Sequence, residues 1–303
     1  VVTRSSKDGS GGQFAVRLTS DVCFGRAGIR YNEGEGRREM RDLLMDVYAP
    51  VGGDPNVPRP AIVLAFGGAY HRGSKENDSF EDGEWRNTSV AEYCREFATS
   101  GYVCFALGYR LTSEDPDPGP QRVLADPGGV SRARIDVVRK MLGLGPATAQ
   151  MLSDGMEAAA ADVATGLRFI QDHASEFGVD PSRIIAGGFS AGGISALYAV
   201  LAHGAPASAL IVLSGRFEAP DIPRYMRDAR QPPILQFVSE NDLEHIRRLT
   251  ADMQEHSAKL GLRHVVYHVP RAGHFYPRSA AAIAPDGCET TVEGAMRSFL
   301  DSL

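Results

Sequence analysis

Gly188-Phe189-Ser190-Ala191-Gly192 sets a serine between two glycines, directly after the apolar end of a strand-like run at 183–186 and before a helix-compatible run. That context predicts a sharp strand-to-helix turn: glycines two residues either side let neighbouring backbones pass closely, and the helix N-terminus offers N–H groups to a developing oxyanion. A serine hydroxyl is a weak nucleophile until a base takes its proton. Of eight histidines, His274 stands after the last expected core strand, in Gly273-His274-Phe275, where the glycine permits a tight loop. His264 and His268 alternate along a strand and read as packing or surface residues; His173, His203, His245 and His256 fall in or beside helical stretches. The third member must orient the imidazole and stabilise its charged form. Asp242, just after a strand, fits that role; Glu240 and Glu244 are its rivals, and a helix cap is its other use. Gly67-Gly68-Ala69 follows a buried strand, so one or two of its N–H groups are expected to join that of Ala191 as the oxyanion hole; a plain tight turn is the alternative.

The elements that must position these residues follow from periodicity. Strands are expected at 14–21 and 43–48, parted by a polar, glycine-rich stretch at 25–38, then at 61–66 after a Pro/Gly-rich turn at 50–60. Further along, helix 89–100, strand 102–107, helix 157–177, strand 183–187, helix 191–202, strand 209–213, strand 234–238, helix 243–260, strand 264–269 and helix 291–303 alternate. Such alternation predicts right-handed βαβ crossovers, a mostly parallel sheet with helices on both faces, and one α/β domain over 1–303. Two stretches break the pattern: 114–153, with Pro116, Pro118, Pro120 and Pro127 and short amphipathic pieces at 135–142 and 147–152, and 219–229. Long loops in compact domains are usually functional. Both are expected to border the pocket, 114–153 as a small cap or lid, with Val138, Leu142, Tyr225 and Met226 as lining residues. The rival reading is a surface excursion with no substrate role.

Composition narrows the classes. An apolar content of 43% supplies a core, and a formal charge of -6 argues against nucleic acid and, less strongly, against an anionic membrane surface. No apolar run reaches the length of a membrane span. The polar start, 1–12, lacks the apolar core of a signal peptide, which favours a soluble cytoplasmic protein. The chain begins at Val, so prior removal of an export segment stays open. Four cysteines (Cys23, Cys94, Cys104, Cys288) are too few for a disulfide scaffold and lack the close pairing of a metal or redox motif.

Together these segments resemble the α/β-hydrolase superfamily, and within it the hormone-sensitive-lipase-like esterases and carboxylesterases. Phe66-Gly67-Gly68-Ala69-Tyr70 to Gly73-Ser74 is similar to their HGGG segment, Tyr109-Arg110-Leu111 to their YRLAPE stretch, and Asp180-Pro181-Ser182-Arg183-Ile184 through Ser190-Ala191-Gly192-Gly193 to their DPxRI and SAGG motifs. The order Ser190, Asp242, His274 is that of an α/β-hydrolase. Phe66 stands where the family has histidine, removing a polar support of the oxyanion loop, and Phe189 where aspartate is common; large N-terminal cap helices are absent. The resemblance implies hydrolysis of a small to medium carboxylic ester through an acyl-enzyme, with no metal or organic cofactor and a small-molecule ester as partner. Tyr70, His71 and Phe189 then border the substrate. His71, Arg72 and Lys75 either meet an anionic group or pair with Glu76, Asp78 or Asp82. Amide or peptide hydrolysis is the alternative activity, and a non-catalytic ligand receptor the remote one.

Overall fold

The computed structural model describes residues 13–303 apart from residue 55; the polar start at 1–12 and Pro55 of the 50–60 turn lie outside the described residues. Ala15–Ile29 (β1) and Glu39–Val51 (β2) pair antiparallel, with only two 3-10 turns, Tyr31–Glu33 and Glu35–Arg37, between them. Both strands outrun the expected 14–21 and 43–48. The edge strand β1 is exposed along most of its length, so polar residues do not end it, and two register shifts absorb its irregularities.

Apart from a hairpin of two-residue strands at Glu81–Asp82 and Trp85–Arg86, the remaining strands are Arg59–Ala65 (β3), Val103–Leu107 (β4), Val179–Phe189 (β5), Ala209–Leu213 (β6), Ile234–Ser239 (β7), His264–Val269 (β8), Ala281–Ile283 (β9) and Glu289–Thr291 (β10). They form one sheet in the order β1-β2-β4-β3-β5-β6-β7-β8-β9-β10, parallel from β4 to β8 and antiparallel at both ends. Every residue of β4, β6 and β7 is buried, as strands covered by helices on both faces must be. The three-residue strands β9 and β10 are too short to show a period in the sequence.

The longer helices are Val90–Thr99 (α1), Ala133–Met141 (α2), Ala149–Asp172 (α3), Ala191–Leu197 (α4, continuing into a π-helical turn at Tyr198–Ala202), Glu244–Leu260 (α5) and Val292–Asp301 (α6). Ser89 and Glu92 form a reciprocal capping box on α1. Helix α3 starts at Ala149, capped by Thr148, where the sequence suggested residue 157. The piece at 147–152 is therefore mostly its first turn. Buried Asp154 masked the apolar stripe ahead of residue 157: it accepts from Arg122 and Gln150, and Glu157 accepts from the N–H groups of Val123 and Leu124.

Arg110, just past β4, ties this excursion down. Its guanidinium meets Asp162 of α3 in a two-pronged ion pair with both side chains at most 4% exposed, and also donates to the carbonyls of Gly28 and Asp117. Arg110→Ala, which strands a buried carboxylate, should lower unfolding free energy by about 3–5 kcal/mol. Arg110→Met with Asp162→Leu should recover most of it. Urea denaturation of the three proteins checks this; equal losses in single and double variants would refute the ion-pair account.

Candidate active site

Ser190 sits at the end of β5 with φ 51° and ψ −116°, a strained conformation for a residue with a side chain. Two things hold it there. Its N–H donates to the Leu213 carbonyl at 2.8 Å and its carbonyl accepts from Ile194 in α4. On either side, Gly188 and Gly192 press against β3: a Cβ would fall 2.4 Å from the Ala65 carbonyl oxygen at Gly188 and 2.0 Å at Gly192.

From this turn the hydroxyl reaches His274, whose Nε2 lies 2.9 Å from Ser190 Oγ. The other ring nitrogen, Nδ1, lies 2.6 Å from Asp242 Oδ1. Asp242 is buried in the bend after β7, where it also accepts from Ser214 Oγ at 2.5 Å and from the N–H of Leu243. Burial by itself would raise its pKa; the His274 charge and the hydrogen bonds from His274, Ser214 and Leu243 outweigh this and hold it below the usual carboxylate range. An anion facing Nδ1 keeps that nitrogen protonated and leaves Nε2 free to accept the serine proton. The rival histidines stand elsewhere: His264 bonds Gln236 and Ser257, and His268 is exposed on β8.

The loop after β3 supplies candidate oxyanion donors. The N–H of Gly67 is spent on Asp78 Oδ2 at 2.7 Å, which removes Gly67 from the expected set. The N–H groups of Gly68 and Ala69 make no hydrogen bond among the described residues, and Ala191 begins a helix, where N–H groups lack intrahelical partners. Gly68 has φ 130° and a Cβ there would meet the Arg72 carbonyl at 2.0 Å, so no other residue fits this turn. Support comes from several directions. Phe66 stacks on Tyr109 (centroids 4.1 Å apart), and Tyr109 Oη donates to the Phe66 carbonyl. His71, which burial keeps neutral, bonds the Ala69 carbonyl through Nδ1 and takes Arg139 of α2 on Nε2. Lys75 does not face the site: it is buried among Asp46, Asp21 and Glu76.

Two clefts meet at Ser190. One is lined by His274, Phe189, Phe275, Phe80, Arg72 and Val138 among others. The second runs past Ala69, Tyr70 and Ala191 to Ile135, Arg216 and His245. Tyr70, Phe189 and Val138 thus line the site as expected. His71, Leu142, Tyr225 and Met226 do not. His71 is a strut beneath the oxyanion loop, and Leu142 caps α2 facing outward, 45% exposed. Tyr225 packs with Tyr198 and Phe217 and donates to the Val123 carbonyl; Met226 is fully buried, its carbonyl accepting from His256. The segment 219–229 closes the core instead of the pocket because its apolar side chains find an aromatic cluster there. Sequence reasoning missed Arg134 and Arg216. Neither lies in a motif, and only the fold brings them to the serine.

The BD-FAE family model, an α/β-hydrolase-type esterase domain, matches residues 151–256. No curated protein matches the chain. Among solved structures, esterase 2 of Thermogutta terrifontis phosphoramylated by tabun is similar at 20% identity over 90% of this chain and 88% of that one, with a TM-score of 0.56. The native form of that thermophilic planctomycete esterase aligns at 21% identity over 86% of each chain (TM-score 0.56), and its propionate-bound form at 20% over 88% and 86% (TM-score 0.54). The chain has the α/β-hydrolase fold.

Asp78 generates a test of the loop. Its fully buried carboxylate accepts from Gly67 N–H and from Val90 N–H at the start of α1, fixing the oxyanion loop to that helix. Burial raises its pKa from 3.8 to about 6, against the pull of those two N–H groups. Above about 6 the anion holds both donors; below it, a proton turns one acceptor into a donor facing an N–H. Hydrolysis should therefore carry a loss as pH falls through about 6, absent from Asp78→Asn, whose kcat should be lower by roughly tenfold to a hundredfold throughout. Stability runs the other way. A carboxyl raised on folding binds its proton more tightly in the native state, so its contribution grows as pH falls from about 6 towards 3.8. Paired pH profiles of kcat and urea midpoints check both signs, and an unchanged kcat profile in Asp78→Asn would refute the coupling.

Proposed function

We propose that this chain is a serine hydrolase that cleaves carboxylic esters through an acyl-enzyme, with Ser190 as nucleophile, His274 as general base and then acid, and Asp242 as the group that orients and stabilises the imidazolium. The observation that carries the proposal is the contiguous relay at the strand-to-helix turn: 2.9 Å from Ser190 Oγ to His274 Nε2 and 2.6 Å from His274 Nδ1 to Asp242 Oδ1. Proton removal makes the serine competent at neutral pH, and the same imidazole, now protonated, delivers that proton to the leaving alkoxide. The N–H groups of Ala191, Gly68 and Ala69 receive the negative charge of the tetrahedral intermediate. Water then repeats the cycle on the acyl-enzyme and frees the acid. The similarity to an esterase that organophosphates modify and that binds propionate agrees with this reading. Residues 114–153 serve as a cap: α2 within them contributes Arg134, Ile135 and Val138 to the clefts.

A fluorophosphonate probe should label Ser190 and abolish turnover of p-nitrophenyl acetate and butyrate. Ser190→Ala with full esterase activity would sink the assignment. His274→Ala should lose roughly six orders of magnitude in kcat while melting normally; His268→Ala, exposed six residues earlier, should lose almost nothing. An aminoacyl anilide turned over faster than the esters would shift the activity to amides.

A further inference from the structure

Three arginines flank Ser190: Arg72 and Arg134 in one cleft, Arg134 and Arg216 in the other. Arg216, on the loop after β6, is 3% exposed. Its Nη1 lies 2.7 Å from Glu218 Oε1 but out of hydrogen-bonding alignment, so that Nε, Nη1 and that carboxylate oxygen all lack partners. Tyr70, 4% exposed, lines the same cleft, its hydroxyl beside that of Ser195, which gives its proton to the Ala191 carbonyl and keeps lone pairs that can accept from Tyr70. Arg134, at the mouth, forms no salt bridge among the described residues and lies over the Phe275 ring. His245 adds no charge, since burial, with Arg216 and His274 beside it, pushes its pKa to about 4.

Buried donors without acceptors are costly, and a guanidinium more so than a neutral group. Glu218 offsets the charge of Arg216 without satisfying its N–H groups. A ligand carboxylate would supply the missing acceptors for Arg216, with the Tyr70 hydroxyl a further donor lining the cleft, and set two anions against two arginines. Between this cluster and the serine the walls are apolar, with Ile135, Met156 and Ile194. The cleft also lies away from His274, which lines only the other one. The leaving alcohol must depart beside the imidazole that protonates it, so this second cleft receives the acyl part.

We propose that the second cleft is a carboxylate subsite formed by Arg216, Tyr70 and Arg134, and that the substrate is a half-ester of a short dicarboxylic acid, its free carboxylate on the acyl side. This rests on the ester-hydrolase reading. The substrate chain spans the apolar wall while the planar guanidinium takes the carboxylate in a two-pronged contact. Hydrolysis adds one water: the acyl–oxygen bond breaks, the alcohol leaves with the His274 proton, and the free diacid is the product.

The test compares monoethyl glutarate with ethyl valerate, an acyl chain of equal length without the charge, by acid release in a pH-stat. The wild type should favour the half-ester at least tenfold in kcat/KM. Arg216→Met with Glu218→Gln, which leaves no unpaired buried charge, should erase that preference, Tyr70→Phe should reduce it, and Arg216→Lys should restore part of it. A wild-type preference for ethyl valerate, or an unchanged ratio in the double variant, overturns the proposal. A preference seen instead for a carboxylate on the alcohol, as in the valerate ester of glycolic acid against ethyl valerate, overturns the acyl-side assignment. Calorimetry of glutarate on Ser190→Ala separates the two readings. Binding that disappears in the Arg216/Glu218 background, with no ester turned over by wild type, would leave the anion site standing and remove the hydrolase. Turnover of neutral esters without glutarate binding would do the reverse.

Discussion

The site depends on one close approach of backbones, that of Gly188 and Gly192 to the Ala65 carbonyl. It joins the carboxyl ends of β3 and β5 so tightly that a single methyl group at either glycine would part them. The chain leaving β3 becomes the loop with the free Gly68 and Ala69 N–H groups; the chain leaving β5 becomes Ser190 and the first N–H groups of α4. Closing that contact therefore brings the proposed nucleophile and both halves of the proposed oxyanion hole to one point. It also fixes Ser190 at φ 51°, a conformation that costs about 1–3 kcal/mol and persists because the Leu213 and Ile194 hydrogen bonds leave no alternative.

A second consequence concerns Phe66. Where the HGGG segment that this loop resembles has a histidine, this chain places an aromatic ring, and the loop is supported by other groups. Stacking on Tyr109 holds the start of the loop, Asp78 holds Gly67, and His71 holds Ala69 from the side of α2. Three elements distant in sequence thus share the task. The links differ in kind: one is apolar, one is a buried anion and one a neutral imidazole, so pH acts on the loop chiefly through Asp78.

Sequence alone made the fold class and the Ser190, Asp242, His274 grouping legible, because both are written in local signals. The strands at 209–213 and 264–269 emerge to the residue: the first as a fully buried apolar run, the second from its valines and tyrosine set between Gly261 and Pro270. Elements whose polar residues have distant partners were misread. Asp154, ahead of the expected start at 157, made the first turns of α3 look irregular, because its charged partner, Arg122, lies more than thirty residues away. Arg134 and Arg216 were silent for the same reason: an arginine on a short helix or in a loop is unremarkable until the fold shows what it faces. The segment at 219–229 failed in the opposite sense. Its apolar residues looked like pocket lining, but Tyr198 and Phe217 give them a core to join.

The charge at the site runs against that of the whole chain. A formal charge of -6 makes the distant field unfavourable to anions, yet three arginines line the clefts at the serine, and Arg72 and Arg134 have no carboxylate within ion-pair distance among the described residues. Salt screens charges beyond about 8 Å at physiological ionic strength, so the net charge fades within a few layers of water while the arginines, partly shielded from solvent, do not. Selection for an anion then operates at contact rather than by long-range steering. The same cations have a second effect on any acyl transfer here. Negative charge develops on the substrate oxygen in the transition state, and nearby guanidinium groups in a cleft with little water favour that charge more than the neutral ester. A cluster that recognises a remote carboxylate must therefore also act on the barrier. If an anion fills it, part of that field is neutralised, and the proposed oxyanion donors, the N–H groups of Ala191, Gly68 and Ala69, which carry no net charge to be neutralised, would bear most of the stabilisation.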